Sequence, residues 1–368
     1  MATPVHFVGL LRSPVSWARV GRELVHALGG CPNRVSATSL KGYLWDAGFP
    51  LRPEVEAALA RRRADGWDIA LDYPPNFARL RGGRRAGILI YEGDRFPDHW
   101  ARAAVENLDA AFVPSEFALE AAAASGIPRD MLQVAPFGVD RRIYCADGPS
   151  ASLPTGRAFN FLAVAAPHVR KGLAELTRAF CDAFAPEDDA GLVIKCPPLE
   201  GVGRRPWEYG AVEEFIQEAR APQVSLLEGV FSEGEMAALY RAVDVYVQPS
   251  YGESFGLAPL EALACGVPVV ATGWGGVLSF LDDSNAWLVE YHLIDASAFA
   301  YDWRGEGGVR MARPRAESLA ARLREAFEDL TARRAKAARG LETASRFTWR
   351  RTAKAILSRL ADLEARRI

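Results

Sequence analysis

The sequence predicts an α/β protein built from two doubly wound parallel-sheet domains, and three observations carry that expectation. The chain has 368 residues, beyond the size at which a single hydrophobic core keeps growing. Short apolar runs alternate with helical patterns along most of its length, which favours a parallel sheet covered on both faces. Between Asp147 and Gly156 the rhythm halts in a Gly-, Pro- and Ser-rich stretch and then restarts.

In the first half, residues 5–11 form an apolar run of strand type. A turn at Ser13-Pro14 leads to a helical pattern over 17–28 that stops at Gly29-Gly30. Residues 68–73 read as a strand ended by Pro74-Pro75, and 86–91 as another, after the basic loop Arg79 to Arg85. Alanine-rich helical stretches at 100–107 and 116–125 flank a short apolar run at 110–114. The second half repeats the alternation, with strands at 159–165, 191–195, 224–227, 243–248 and 267–271, and helices at 173–184, 212–219, 234–242 and 256–264. Residues 316–366 are helical and heavily charged, with breaks expected near Gly340 and again at Phe347-Thr348-Trp349. The domains are therefore placed at 1–152 and 156–346, with a last helix over 347–368.

Composition narrows the function. A net charge of −2 and a mean hydropathy of −0.04 leave no excess positive charge for a polyanion, so nucleic acid is not an expected partner. Five cysteines, none in a Cys-x-x-Cys pair, suggest neither a disulfide framework nor a zinc site. The five histidines are equally scattered, and no metal and no cofactor is expected. The start of the chain lacks a charged and apolar leader, and no run approaches the ~20 apolar residues of a membrane span, so the expected location is cytoplasmic.

The most informative stretch runs from Pro249 to Thr272. A buried strand ends at a Pro-Ser turn, a loop carries Glu253, a helix starts near Gly256, a second carboxylate, Glu261, sits two turns along, and Gly266 stops the helix. Free N–H groups and the positive dipole end at Ser254, Phe255, Gly256 and Leu257 suit a diphosphate, which Gly256 allows to approach the main chain. Glu261 is then placed for vicinal hydroxyls such as those of a ribose, and Glu253 for the group beyond the phosphates.

These residues resemble glycosyltransferase family 4, whose signature is two glutamates separated by seven residues, matched here by Glu253 and Glu261. The resemblance implies a GT-B fold, two Rossmann-like domains facing each other across a cleft, and a retaining, metal-independent hexosyltransferase. Its donor would be a UDP- or GDP-linked sugar and its acceptor a hydroxyl of a sugar, glycan or lipid-linked molecule, in work such as polysaccharide biosynthesis. It also implies that Glu253 contacts the donor sugar and Glu261 the ribose. In His168-Val169-Arg170-Lys171-Gly172, Lys171 fits the family lysine that neutralises the diphosphate. The arginine usual five residues earlier is Ala166 here, with Arg170 as its nearest substitute. The base would lie on the backbone at Gly229-Val230-Phe231, which gives Val230 a donor-binding role. Further matches at Val113 to Phe117, at Pro136 to Asp140 and at Phe347-Thr348-Trp349 extend the resemblance over most of the chain and imply a last helix that returns to the first domain.

The first half departs most from that pattern. Arg12, in the loop after the first strand, touches phosphate or acceptor, or is a plain surface residue. Glu92 stands near where many family members carry a sugar-contacting histidine. It orients the acceptor hydroxyl or the donor sugar, or it caps a helix. His99 reads as a helix-start residue. The basic runs Arg61-Arg62-Arg63 and Arg79 to Arg85 suit peripheral contact with a membrane or lipid-linked acceptor, or are solvated faces. Two rival functions stand beside transfer: a GT-B nucleotide-sugar epimerase, and a non-catalytic protein that binds sugar nucleotides.

Overall fold

The computed structural model describes residues 4–30, 35–42, 44–63, 65–166, 168–198, 223–303 and 308–366. The chain forms two compact units. The first runs to Gly138 and resumes at Phe347; the second spans Val139 to Arg346.

The first unit is an α/β sheet made of β1 (Val5–Leu10), α1 (Ser16–Gly29), β2 (Val35–Leu40), α2 (Pro53–Ala60), β3 (Trp67–Leu71), β4 (Arg84–Ile88), α3 (Asp98–Asn107), β5 (Ala110–Val113), α4 (Glu116–Ala124) and β6 (Leu132–Val134). Its strands are all parallel, in the order β2-β1-β3-β4-β5-β6. The central strand β3 is buried along its whole length, as expected where helices cover both faces. Helix α1 turns Ala18, Val20, Leu24, Val25 and Leu28 inward, a stripe of helical period that places it against the sheet.

The second unit holds β7 (Phe159–Val164), α5 (Leu173–Ala183), β8 (Ala190–Cys196), β9 (Val224–Glu228), α6 (Glu233–Arg241), β10 (Val245–Gln248), α7 (Leu257–Ala264), β11 (Val269–Thr272), β12 (Ala286–Val289), β13 (Tyr291–Asp295), β14 (Arg310–Pro314), α8 (Ala316–Glu328) and α9 (Leu330–Arg346). Its main sheet, also all parallel, has the order β12-β11-β10-β7-β8-β9. Counted from its own first strand this is the 3-2-1-4-5-6 order of dinucleotide-binding sheets. Phe159, Phe161, Phe180 and Phe184 fill one side of it, with Phe327 of α8 packed edge-on against Phe159 and Phe184. A last helix, α10 (Trp349–Ala365), belongs to the first unit.

Several expectations are corrected. The chain passes from one unit to the other at Gly138, not at 152. The Gly/Pro/Ser segment is no free linker, because it is tied to the second unit: Arg241 donates to the carbonyls of Cys145 (3.1 Å) and Pro149 (2.8 Å). No break occurs at Gly340, which lies inside α9. A Cβ there would come 2.6 Å from Leu263 Cδ2, so the glycine lets α9 lie close on α7. The break falls instead at Asp329, which caps α8. β2, α2, β6 and β12 to β14 were not anticipated. β2 is an edge strand whose Ser36, Thr38 and Ser39 mask its period. The helix expected at 212–219 lies outside the described residues.

The basic runs are partly spent on the first unit itself. Arg63 forks onto buried Asp68, which also accepts from the N–H groups of Arg81 and Gly82, so the loop folds back on β3. Arg61 donates to the Val35 carbonyl, and Arg84, already on β4, lies over the Trp67 ring. Among the described residues no helix is long and apolar enough to cross a membrane.

Candidate functional site

In the second sheet the strand order reverses between β7 and β10, and ligands of open α/β sheets bind beyond the carboxyl ends of strands at such a point. The two loops leaving those strands carry the sequence-predicted charges. After β7 the chain makes a 3-10 turn, Val169–Lys171, and enters α5 through Gly172 with φ of 64°. Only glycine serves there, since a Cβ would also lie 2.2 Å from the Pro249 carbonyl oxygen. That close approach docks one loop on the other. The Tyr251 N–H donates to the Arg170 carbonyl (2.7 Å), and the Arg170 guanidinium donates to the Gly252 carbonyl (2.7 Å).

Three donors then converge on one oxygen. Glu253 Oε1 accepts from Lys171 Nζ (2.6 Å), Gln248 Nε2 (3.0 Å) and Arg170 (3.4 Å). All three charged side chains are largely buried, at 14% exposure for Glu253, 16% for Arg170 and 21% for Lys171. Burial pushes the Glu253 carboxyl up, but Lys171 and Arg170 outweigh it and hold the group at about 2. Gln248 is itself oriented by the buried Tyr246 hydroxyl, which donates to its Oε1 (2.6 Å). The Glu253 carbonyl accepts from the Gly276 N–H (2.7 Å), so side chain and main chain are both fixed. His168 accepts the Arg170 N–H (3.0 Å). Burial, with Arg170 and Lys171 nearby, holds it neutral with a pKa of about 3.

Glu261 lies apart from this cluster. It is 4% exposed in α7, and its Oε2 accepts from the Tyr240 hydroxyl of α6 (3.1 Å). Ser254 and Phe255 are buried. The Phe255 ring packs on Phe280 at 5.3 Å, which leaves its main chain for any ligand contact. Gly256 is the N-cap of α7 with φ of 96°, and Leu257 opens the helix, half-buried. Val230, after the edge strand β9, is 57% exposed beside Gly229, whose carbonyl accepts from Lys195 Nζ (2.7 Å).

Arg12 and Glu92 belong to the first unit. The Arg12 guanidinium is engaged there: it forks onto Glu56 at 2.7 and 2.8 Å and reaches the carbonyls of Ala47 and Phe49. Glu92 is half-buried in the loop after β4. It does not cap α3, whose N-cap is Pro97 with no side-chain cap bond, and His99 is the second residue of that helix.

Sequence reasoning missed a second network around the same loop. The Tyr251 hydroxyl donates to Glu175 of α5, which also takes Arg313 of β14 (3.0 and 2.9 Å), while the Tyr251 carbonyl accepts from the Ala312 N–H (2.7 Å). Tyr251 thus ties the Glu253 loop to α5 and to the β13-β14 pair. A glutamate on the buried stripe of an amphipathic helix was the available signal for Glu175; nothing in the sequence marked Arg313. Gln248, the polar last residue of an otherwise apolar strand, was a signal of the same kind.

Solved structures share this architecture across nearly the whole chain. Sucrose-phosphate synthase from Thermosynechococcus elongatus superposes with a TM-score of 0.71 at 18% identity, covering 99% of both chains. The α,α-trehalose 6-phosphate synthase from Burkholderia multivorans gives 0.72 at 13% identity, covering 100% of each. HepE of Anabaena, in complex with UDP and glucose, gives 0.68 at 16% identity, covering 98% of this chain and 100% of that one. The fold is thus that of the GT-B class. Residues 158–302, all within the second unit, match the family of glycosyl transferases group 1. Among curated proteins, the D-inositol 3-phosphate glycosyltransferase of Stackebrandtia nassauensis is 29% identical over 248 residues, 65% of this chain and 50% of that protein. The enzyme of the same name from Xylanimonas cellulosilytica is 34% identical over 176 residues, 47% of this chain and 37% of that protein. The chain spans half or less of the length of these relatives.

Proposed function

We propose that the protein is a retaining glycosyltransferase that moves a hexose-type sugar from a nucleotide-diphosphate sugar to a hydroxyl of a sugar, glycan or lipid-linked acceptor, without a metal. The observation that carries this reading is the convergence of Arg170, Lys171 and Gln248 on Glu253 at the β7/β10 reversal. Two cations and one carboxylate leave a net positive charge in a largely desolvated setting, where it acts strongly on a diphosphate. In this reading Arg170 and Lys171 neutralise the diphosphate together with the N–H groups at the start of α7. Glu253, ionised throughout the neutral range, accepts from the sugar hydroxyls, and Glu261 holds the ribose. The acceptor hydroxyl attacks from the face the nucleotide leaves, and the departing phosphate takes its proton, so no protein nucleophile is needed. Glu92 contributes from the first unit by orienting the acceptor hydroxyl.

The UDP seen in the HepE complex supports a uridine donor over a guanosine one. A cytoplasmic location suits the free thiols at Cys145, Cys196 and Cys265.

A thermal-shift panel of UDP, GDP, ADP and their sugar conjugates tests the donor class, since a ligand that binds only the folded state raises its stability. UDP or GDP is expected to raise the Tm, and a flat response across the panel would sink the reading. NMR of the product anomer, with and without EDTA, tests the chemistry. Retention that survives chelation is expected; inversion, or loss of rate on chelation, would require a different mechanism.

A further inference from the structure

The first sheet has its own reversal, between β1 and β3 in the order β2-β1-β3. The loops leaving those two strands bring aromatic rings together. Trp17, in the first turn of α1, and Tyr73, two residues beyond β3, have ring centroids 5.1 Å apart at 41°. Tyr73 rests on Trp100 (5.5 Å), Trp100 meets Tyr91 edge-on (5.5 Å), and Tyr91 packs on Phe96 (5.4 Å). The inner three rings are at most 2% exposed, whereas Tyr73 is 37% exposed and Trp17 is half-buried. The result is a stack of rings rooted in the core and open at its outer end, where the fold places ligands.

Carboxylates flank these ring residues along the chain. Asp72 precedes Tyr73 and is fixed by accepting its N–H (2.8 Å). The adjoining loop, beyond the neighbouring strand β4, carries Glu92 and Asp94. Flat rings bordered by carboxylates match a sugar ring, whose C–H face is weakly positive and meets the negative face of an aromatic ring while its hydroxyls donate to the carboxylates. An acyl chain has nothing to give those carboxylates, and a phosphate headgroup is repelled by them.

We propose that Trp17 and Tyr73 form the acceptor subsite and stack one pyranose ring, so that the acceptor is a saccharide at its reacting end. This rests on the glycosyl-transfer reading but is tested without turnover. Saturation-transfer NMR of maltose, cellobiose and chitobiose with the full chain is expected to show saturation concentrated on the ring C–H protons of at least one sugar. Trp17→Ala and Tyr73→Ala are each expected to weaken that binding about tenfold, while Trp17→Phe and Tyr73→Phe, which keep a ring, stay within about threefold of the parent. Circular dichroism of each variant shows whether it has folded, and the ring-keeping pair supplies the answer should an alanine variant unfold. Absence of saturation from all three sugars would overturn the proposal, as would equal binding by Trp17→Ala and Trp17→Phe. Binding to phosphatidylglycerol vesicles that is lost in Trp17→Ala, with no sugar bound, would assign the step to lipid instead. A chain that binds sugar here but transfers none breaks the reading of the second unit alone.

Discussion

The two units share an architecture, and each reverses its strand order next to the first strand of its sheet. At that point in the second unit stand Arg170, Lys171, Gln248 and Glu253, largely buried charges and an amide locked by hydrogen bonds of 2.6 to 3.4 Å. At the corresponding point in the first unit stand Trp17 and Tyr73, backed by rings that reach into the core. One backbone plan thus presents fixed charge in one place and flat apolar surface in the other. The fold supplies a ledge, and the side chains on two loops decide its chemistry.

The sharpest way to break this contrast is to remove the charge that organises the second ledge. Glu253→Gln keeps the shape but leaves Lys171 and Arg170 without their anion, and kcat is expected to fall about a thousandfold at saturating donor. Initial rates above about a tenth of the parent's would show that Glu253 is dispensable. A second comparison concerns packing. A Cβ at Gly138, in the first unit, would lie 2.1 Å from the Trp349 backbone nitrogen, whereas at Gly340, in the second, it would meet the end of a leucine side chain. Backbone cannot step aside, so Gly138→Ala is expected to cost about 3 kcal/mol or more and Gly340→Ala about 1 kcal/mol, measured by urea unfolding. Equal costs would mean that the two glycines play the same part.

Smaller again is the effect of Glu261→Gln. It is expected to raise donor KM about tenfold and leave kcat within about twofold, the pattern of lost uniform binding. A matching fall in kcat would move Glu261 into the chemistry. Last comes pH. His168 stays neutral in the fold down to about 3, while in the unfolded chain it protonates near its ordinary 6.5. Its contribution to stability is therefore complete above pH 6.5 and is lost progressively as pH falls towards 3. His168→Asn, which keeps an acceptor for the Arg170 N–H, is expected to lose less stability than the parent between about pH 7 and about pH 5. Parallel losses would show that His168 is already charged in the fold.

Much of the second unit was legible because its signals are local. Apolar strands, helix stops and the spacing of Glu253 and Glu261 all lie within a few dozen residues, and β7, β10 and α7 fall within two residues of their predicted limits. What escaped depends on contacts distant in sequence. The Arg313 to Glu175 pair joins residues 138 positions apart, and neither side chain announces the other. Gly340 reads as a helix breaker until Leu263 is seen beneath it, and the Gly/Pro/Ser segment reads as a linker until Arg241 is seen to hold it. The edge strand β2, with serines and threonine where a central strand has valine, lacks the period that would reveal it.

Helix α10 completes the first unit although the whole of the second lies between them in the chain. Thr352 donates to the Pro136 carbonyl (2.5 Å), Arg359 to that of Asp130, and Trp67 Nε1 to Glu364 (3.2 Å). During synthesis the opening sheet must therefore wait, unfinished and with apolar surface uncovered, until more than two hundred further residues, Val139 to Arg346, have left the ribosome. The half made first is the half finished last, and a premature stop after Arg346 would strand it while leaving its neighbour whole.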